Sequence, residues 1–327
     1  MPTPATLLPL PGRLPLELPV RQLPDVSWLQ SHLAFSPIKA LLPLPILAAV
    51  AYPLWWFFRD TWRELDDEAA AYRAELRQRG EVDYRPAACF VIVAAVLTMQ
   101  EYFGSRSFYD EVLHESLLRL AETHPRLKIQ KYDELLGYCW WSCARFIGYV
   151  LIPLPIWKLL FPKDRLLDMG LRLRGFFEHI WIYGLCLAIV LPLMLLVSTQ
   201  PDFGSYYPFY KGSSRSWVDF LSWEAMYWLQ FFSLELFFRG WMVGALRRTL
   251  GSAAIFAMAL PYCMIHYGKP YFEAHGAIVA GVVLGSLAMR TRSIYAGFLV
   301  HITVAVSMDV LSLYKRAALP VAFWSPG

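Results

Sequence analysis

The chain has 327 residues, of which 57% are hydrophobic and only 17% charged, with 13 Trp, 18 Tyr and 21 Phe. The length would allow two soluble domains, but that balance argues against them and points to a polytopic membrane protein. The formal net charge of +4 comes with no basic stripe interleaved with aromatics, so no nucleic-acid partner is expected; the bases fit the cytoplasmic ends of membrane helices.

The first 24 residues hold seven prolines and two arginines, with no continuous apolar core and no small-residue cleavage site. No signal peptide is expected in this stretch. Residues 1–36 are read as a Pro-rich N-terminal arm, extended or disordered. A first membrane span is predicted over 37–58, where Pro43, Pro45 and Pro53 should kink it. Residues 59–85 are charged, and their acids and bases at i,i+4 spacing suit a solvated helix outside the bilayer.

A second span covers 87–103. A polar loop follows at 104–136, with His114 and His124 taken as surface residues. A third span, 137–161, contains Pro153 and Pro155. A basic link, 162–174, leads to a fourth span at 176–198. The loop 199–216, rich in Tyr, Ser and Gly, reads as interfacial with aromatic anchors. A fifth helix runs over 217–248, a sixth over 253–267, a seventh over 275–289 and an eighth over 294–314. Gly251-Ser252, Gly268-Lys269-Pro270 and Arg290-Thr-Arg-Ser293 are the turns between them. The five cysteines all fall in apolar segments, odd in number and without CxxC spacing, and are expected to be buried free thiols.

The fold class is thus all-α, with about eight transmembrane helices. Two regions follow the arm: an accessory membrane region of about four helices over 37–216, and a core of about four helices over 217–327. Lys and Arg number six in 59–85 and four in 162–174, with two each at Arg247/Arg248 and Arg290/Arg292. These links share one side, cytoplasmic by the positive-inside rule, with both termini opposite.

Polar residues inside the bilayer carry the functional signal. Glu235 and Arg239 are four apart and lie on one helix face. At about 1.5 Å per residue, Glu235 sits about 18 Å and Arg239 about 12 Å in from Arg247. His266 sits roughly 20 Å from the Gly251 turn, His301 about 12 Å from Ser293 and Asp309 about 24 Å. Each would cost about 2.5–3.5 kcal/mol or more facing lipid at the bilayer centre. The least costly arrangement has them face one another in a shared hydrated cavity. Gly276, Ala280, Gly281, Gly285 and Ala288 give the seventh helix a small-residue face for close packing.

The residues ELFFRG (235–240), YCMIH (262–266) and GAIVAGVVLGSLAMRTRSIYAGFLVH (276–301) resemble, in order and spacing, the CPBP family. Its members are the type II CAAX-prenyl proteases and bacteriocin-processing or self-immunity proteins. The resemblance covers roughly 217–314. It implies an intramembrane endopeptidase that hydrolyses a peptide bond of a membrane-associated protein or peptide substrate, by C-terminal or CAAX-like processing. It also implies an integral location in a bilayer, expected to be the bacterial inner (plasma) membrane.

In the family a glutamate activates water, histidines on neighbouring helices assist, and an arginine holds the acidic pair. Carried over, Arg239 would lock Glu235 by a charge-assisted hydrogen bond, and Glu235 would polarise or deprotonate water. His266 and His301 would stabilise the oxyanion or protonate the leaving amine. The mechanism is either metal-free and glutamate-based or zinc-dependent, with His266 and His301 as ligands beside a carboxylate. Two positions depart from the pattern. Leu234 stands where the first of two adjacent glutamates is usual, and Ala305 stands where a late Asn is usual, with Asp309 a turn further on. Asp309 and Glu273 are therefore the second candidate acids. A myxosortase-like bacterial branch of the family is similar at these places. The competing readings are a non-catalytic membrane protein of this fold, acting as chaperone or immunity factor, and a proton-coupled transporter.

Overall fold

The computed structural model describes residues 40–124, 126, 128–199, 203–268 and 271–324, without the side chains of residues 174, 175, 193, 196, 197, 272 and 273. The arm over 1–36 lies outside the described residues. The chain divides into a unit of residues 1–49 and a larger unit of residues 50–327. The described part of the first unit, residues 40–49, is almost entirely helical.

The described residues form no strand, only one isolated bridge between Leu171 and Ser293. Eight principal helices occur in the predicted order. They are α1 (Pro43–Arg79), α2 (Arg85–Phe103), α3 (Ile129–Leu160, with a π-helical turn at Ile147–Leu151) and α4 (Ile180–Val197). Then follow α5 (Trp217–Glu235, continued by π-helical Leu236–Met242 and helical Val243–Leu250), α6 (Ala253–Met264), α7 (Tyr271–Thr291) and α8 (Tyr295–Lys315). Four of these are long and apolar enough to cross a membrane: α2, α3, the Ala274–Thr291 part of α7, and α8. Helices α4 and α6 are apolar but shorter over their qualifying stretches, and α1 and α5 carry charge.

The basic links do gather at one end. Arg85 forks onto Asp164 through Nε (3.0 Å) and Nη2 (2.9 Å). Glu68 takes both Arg247 (2.8 Å) and Arg292 (2.9 Å). Asp66 accepts from the Ser252 backbone N–H (2.8 Å), and Arg73 donates to the Thr249 carbonyl (2.7 Å). Glu134 accepts from the Lys211 and Gly212 backbones at the other end, where the Trp217 N–H also bonds the Ala322 carbonyl. The α1–α2, α3–α4, α5–α6 and α7–α8 links are thus joined to one another, and the α2–α3 and α4–α5 links form a second group.

Several boundaries differ from the sequence reading. The predicted first span and the charged block after it are one 37-residue helix, α1, because nothing between them stops helical propagation. The 104–136 segment is largely helical, including His114–Thr123, an amphipathic stretch too polar to read as a span. There His114 is no bare surface residue: its Nδ1 lies 2.8 Å from Asp133, which also accepts from the Tyr109 hydroxyl (2.8 Å). The 199–216 segment does not float at an interface. Tyr210 within it is fully buried and donates to Asp219 (2.8 Å), and the Phe209 ring packs on Trp223. All five cysteines are free, but Cys143 is exposed and only Cys89 fully buried.

Gly281 and Gly285 of the small-residue face of α7 pack on α6, whereas Gly276 of the same face meets no neighbour and lines the cavity described next. A Cβ at Gly281 would approach Ala259 to 3.1 Å, and one at Gly285 would approach Met258 to 2.8 Å. That closeness brings α6, with His266 just past its end, against α7 beside the cavity described next.

Candidate intramembrane active site

Leu234, Glu235 and the π-helical turn that follows are all buried. A π turn adds a residue to the helical repeat and is favoured at functional positions. This one lies against the link before α4, where a Cβ on Gly240 would fall 2.4 Å from the Met169 carbonyl oxygen. Glycine is required here for that close approach.

Glu235 is 1% exposed and Arg239 fully buried. Glu235 Oε1 lies 3.2 Å from Arg239 Nη1 and 3.1 Å from His301 Nδ1. Neither contact has the angles of a directed hydrogen bond, so the attachment is an ion-pair contact and not the directed bond predicted. The Arg239 guanidinium carbon stacks 3.7 Å from the Tyr262 ring centre, which holds the cation on a π face. On the other side, Gly297 of α8 makes room for the carboxylate: a Cβ there would sit 2.6 Å from Glu235 Oε2.

A cavity of about 1080 Å³ opens beside this cluster. Its walls include Gln230, Leu234, Tyr262, His266, His301 and Arg145. No Asp or Glu lines it among the described residues; Glu235 stands behind the wall, and Leu234 is on it. His301 links the two: it touches Glu235, stacks on Phe231 (ring centres 5.1 Å apart, 10° between planes) and remains 21% exposed. The His266 Nδ1 lies 2.8 Å from the Tyr262 carbonyl, and its ring packs on Tyr262 (4.7 Å). Tyr262 thus joins Arg239 to His266.

Asp309 stands apart. It is eight residues beyond His301, about 12 Å along α8. It accepts from Trp223 Nε1 (2.7 Å) and neighbours the buried Glu224 of α5. The side chain of Glu273 lies outside the described residues, as do Lys269 and Pro270 of the predicted turn. A zinc site requires at least three protein ligands with an open position. No group of three His, Cys, Asp or Glu gathers among the described residues. The described residues do not fit a zinc ion, and no step is derived through one.

Sequence reasoning passed over Arg145, Glu224 and Gly297. For the first two the signal was present, since each is a lone charge within an apolar, aromatic run. Gly297 carries no signal without its neighbour Glu235, which arrives from another helix.

Residues 216–307 match the family described as type II CAAX prenyl endopeptidase Rce1-like. No curated protein and no solved structure matches the chain. The match begins at Ser216, the N-cap of α5, and ends two turns before the end of α8. It therefore holds Glu235, Arg239, His266, Gly297 and His301, and leaves out Asp309 and Arg145. Over residues 216–307 the C-terminal part of this helical chain is thus similar to the Rce1-like, CPBP family of membrane proteases.

Proposed function

We propose that the protein is an intramembrane endopeptidase, held in a bacterial inner membrane, that cleaves near the C-terminus of a membrane-associated protein. The observation that carries this reading is the Glu235–His301 contact at the cavity wall. The negative carboxylate 3.1 Å from Nδ1 favours a proton on that nitrogen electrostatically, which would leave the Nε2 lone pair for the cavity. Water there would lose a proton to Nε2, and the resulting hydroxide would attack the scissile carbonyl carbon. Glu235, balanced by Arg239, stabilises the imidazolium that forms. As the C–N bond breaks, His301 returns its proton to the leaving amine. His266 donates Nδ1–H to the Tyr262 carbonyl, and in its doubly protonated form would donate Nε2–H to the oxyanion. Here His301 is the base and Glu235 its positioning partner, since the carboxylate has no surface on the cavity. Asp309 and Glu273 have no part in this scheme.

A second reading, a non-catalytic protein of the same fold, is favoured by Leu234 on the wall where the family's usual base would stand. One experiment separates the two. Protein C-termini in membranes of cells producing the intact chain or its His301→Ala variant are profiled by mass spectrometry. New C-termini present only with the intact chain are expected, and identical profiles would refute the protease.

A further inference from the structure

Arg145 belongs to α3, outside the matched family segment, and no role has yet been given to it. Its position is fixed by a small built device. Nη1 donates to Gln100 Oε1 (3.0 Å) and to the Tyr149 hydroxyl (3.1 Å). Gln100, 2% exposed, is itself anchored by donating Nε2 to the Ala144 carbonyl (2.7 Å). Gly148 exists to admit it: a Cβ there would lie 1.9 Å from Gln100 Nε2. The guanidinium lies over the Tyr149 ring (5.6 Å), its other two nitrogens make no hydrogen bond among the described residues, and no described carboxylate pairs with it. This is a preorganised cation in a membrane cavity whose described walls carry two imidazoles and no acid. Such a charge is costly unless an anion is delivered to it.

Its level matches the candidate site. Ser142 of α3 donates to the Met226 carbonyl of α5, and Tyr149 stacks on Phe237 (4.8 Å). Interpolating between those contacts sets Arg145 beside residues 229–233, the level of Phe231, which stacks on His301. Gln230, at the same level and 7% exposed, lines the cavity with an Oε1 that has no hydrogen-bond partner. It can accept a peptide N–H. The remaining walls are largely apolar, with Leu185, Val283 and Val304 among them.

We propose that Arg145 binds the free α-carboxylate of the substrate's last residue, so that the enzyme removes short C-terminal segments and discriminates against internal sequences. A planar guanidinium fork matches a carboxylate bidentately. Gln230 would hold a backbone N–H of the same segment, and the apolar walls its side chains. This inference rests on the protease reading, and its test keeps the two separable.

The probes are N-palmitoylated peptides with four randomised C-terminal positions, made as free acid and as C-terminal amide, in phosphatidylcholine vesicles with the full-length protein. Cleavage is read by mass spectrometry, and binding is read separately by photo-crosslinking to the His301→Ala variant. The acid pool should be cleaved and bound about tenfold or more in preference to the amide, the range of a hydrogen-bonded charged contact. Arg145→Gln should erase the preference, and Arg145→Lys should keep part of it. Equal treatment of acid and amide, in cleavage or in crosslinking, overturns the proposal. Acid preference in crosslinking without any cleavage would uphold Arg145 and sink the protease. Repeating the assay with phosphatidylglycerol tests the rival anion. An Arg145-dependent effect of that lipid, with no difference between acid and amide, would assign the guanidinium to a headgroup and overturn the proposal.

Discussion

Replacing Glu235 with Gln while keeping Arg239 leaves a fully buried guanidinium without its counter-charge. All three guanidinium nitrogens lack a directed hydrogen bond to compensate. Removing one member of a buried pair costs about 3–5 kcal/mol, because the remaining charge stays desolvated. Glu235→Gln is therefore expected to be destabilised by about that amount, since the Tyr262 face stacked on Arg239 is present with and without the carboxylate. Arg239→Met alone should cost somewhat less, since His301 at 3.1 Å can take up a proton and pair with Glu235. In the double variant Glu235→Gln/Arg239→Met neither charge remains, and a methionine packs well on the tyrosine ring. Its stability should return to within about 1–2 kcal/mol of the parent, a large favourable coupling in a double-mutant cycle. The assay is reversible denaturant unfolding in mixed micelles, followed by tryptophan fluorescence. Cleavage should remain absent in the double variant although stability is recovered, which separates the chemistry from the fold. Costs that simply add would refute the buried-pair reasoning, and so would a Glu235→Gln variant as stable as the parent.

Further expectations follow from single contacts. Gly297→Ala should force the Glu235 carboxylate from its seat, costing about 1–3 kcal/mol of overpacking and most of the activity; unfolding and cleavage assays check both. Gly240→Ala drives a Cβ toward the Met169 carbonyl and should cost a similar about 1–3 kcal/mol, again read by unfolding. Asp164 accepts from Arg85 twice and from Trp157 Nε1 (3.2 Å) at the basic end of the bundle. Burial alone would raise its carboxyl, but the Arg85 guanidinium outweighs that and holds it below the usual aspartate range. Its folded value being depressed, its contribution is fully present above the unfolded value of about 3.9 and is lost as pH falls through the lower folded value. Asp164→Asn should thus cost about 1.5–3 kcal/mol at neutral pH, with the difference from the parent shrinking below about pH 4 in unfolding titrations.

Much of the fold was legible in the residues. Apolar runs of membrane length and the turn signals between them located the helices of the bundle, because each span must satisfy its backbone internally. The basic links were assigned to one side by their count, and the ion pairs through Glu68, Asp66 and Asp164 join them there. Boundaries went astray where polarity misled. The charged part of α1 continues its apolar part without a break, and the 104–136 and 199–216 segments fold onto the bundle instead of looping free.

The candidate site divides in the same way. Spacing alone puts Glu235 and Arg239 on one face, and hydropathy alone says that an acid, a guanidinium and two imidazoles at overlapping depth need one another. The sequence therefore determines which helices carry polar groups and at what depth, since rise per residue and the bilayer's thickness are fixed. Rotation of each helix about its axis is set by packing, through contacts such as Gly285 on Met258 and Gly297 on Glu235. Only the tertiary structure could decide that Glu235 stands behind His301, that Asp309 turns to Trp223 and Glu224, and that Arg145 opens onto the same cavity. A few tens of degrees of helix rotation separate a buried carboxylate from one that lines a cavity, and no single helix encodes that angle.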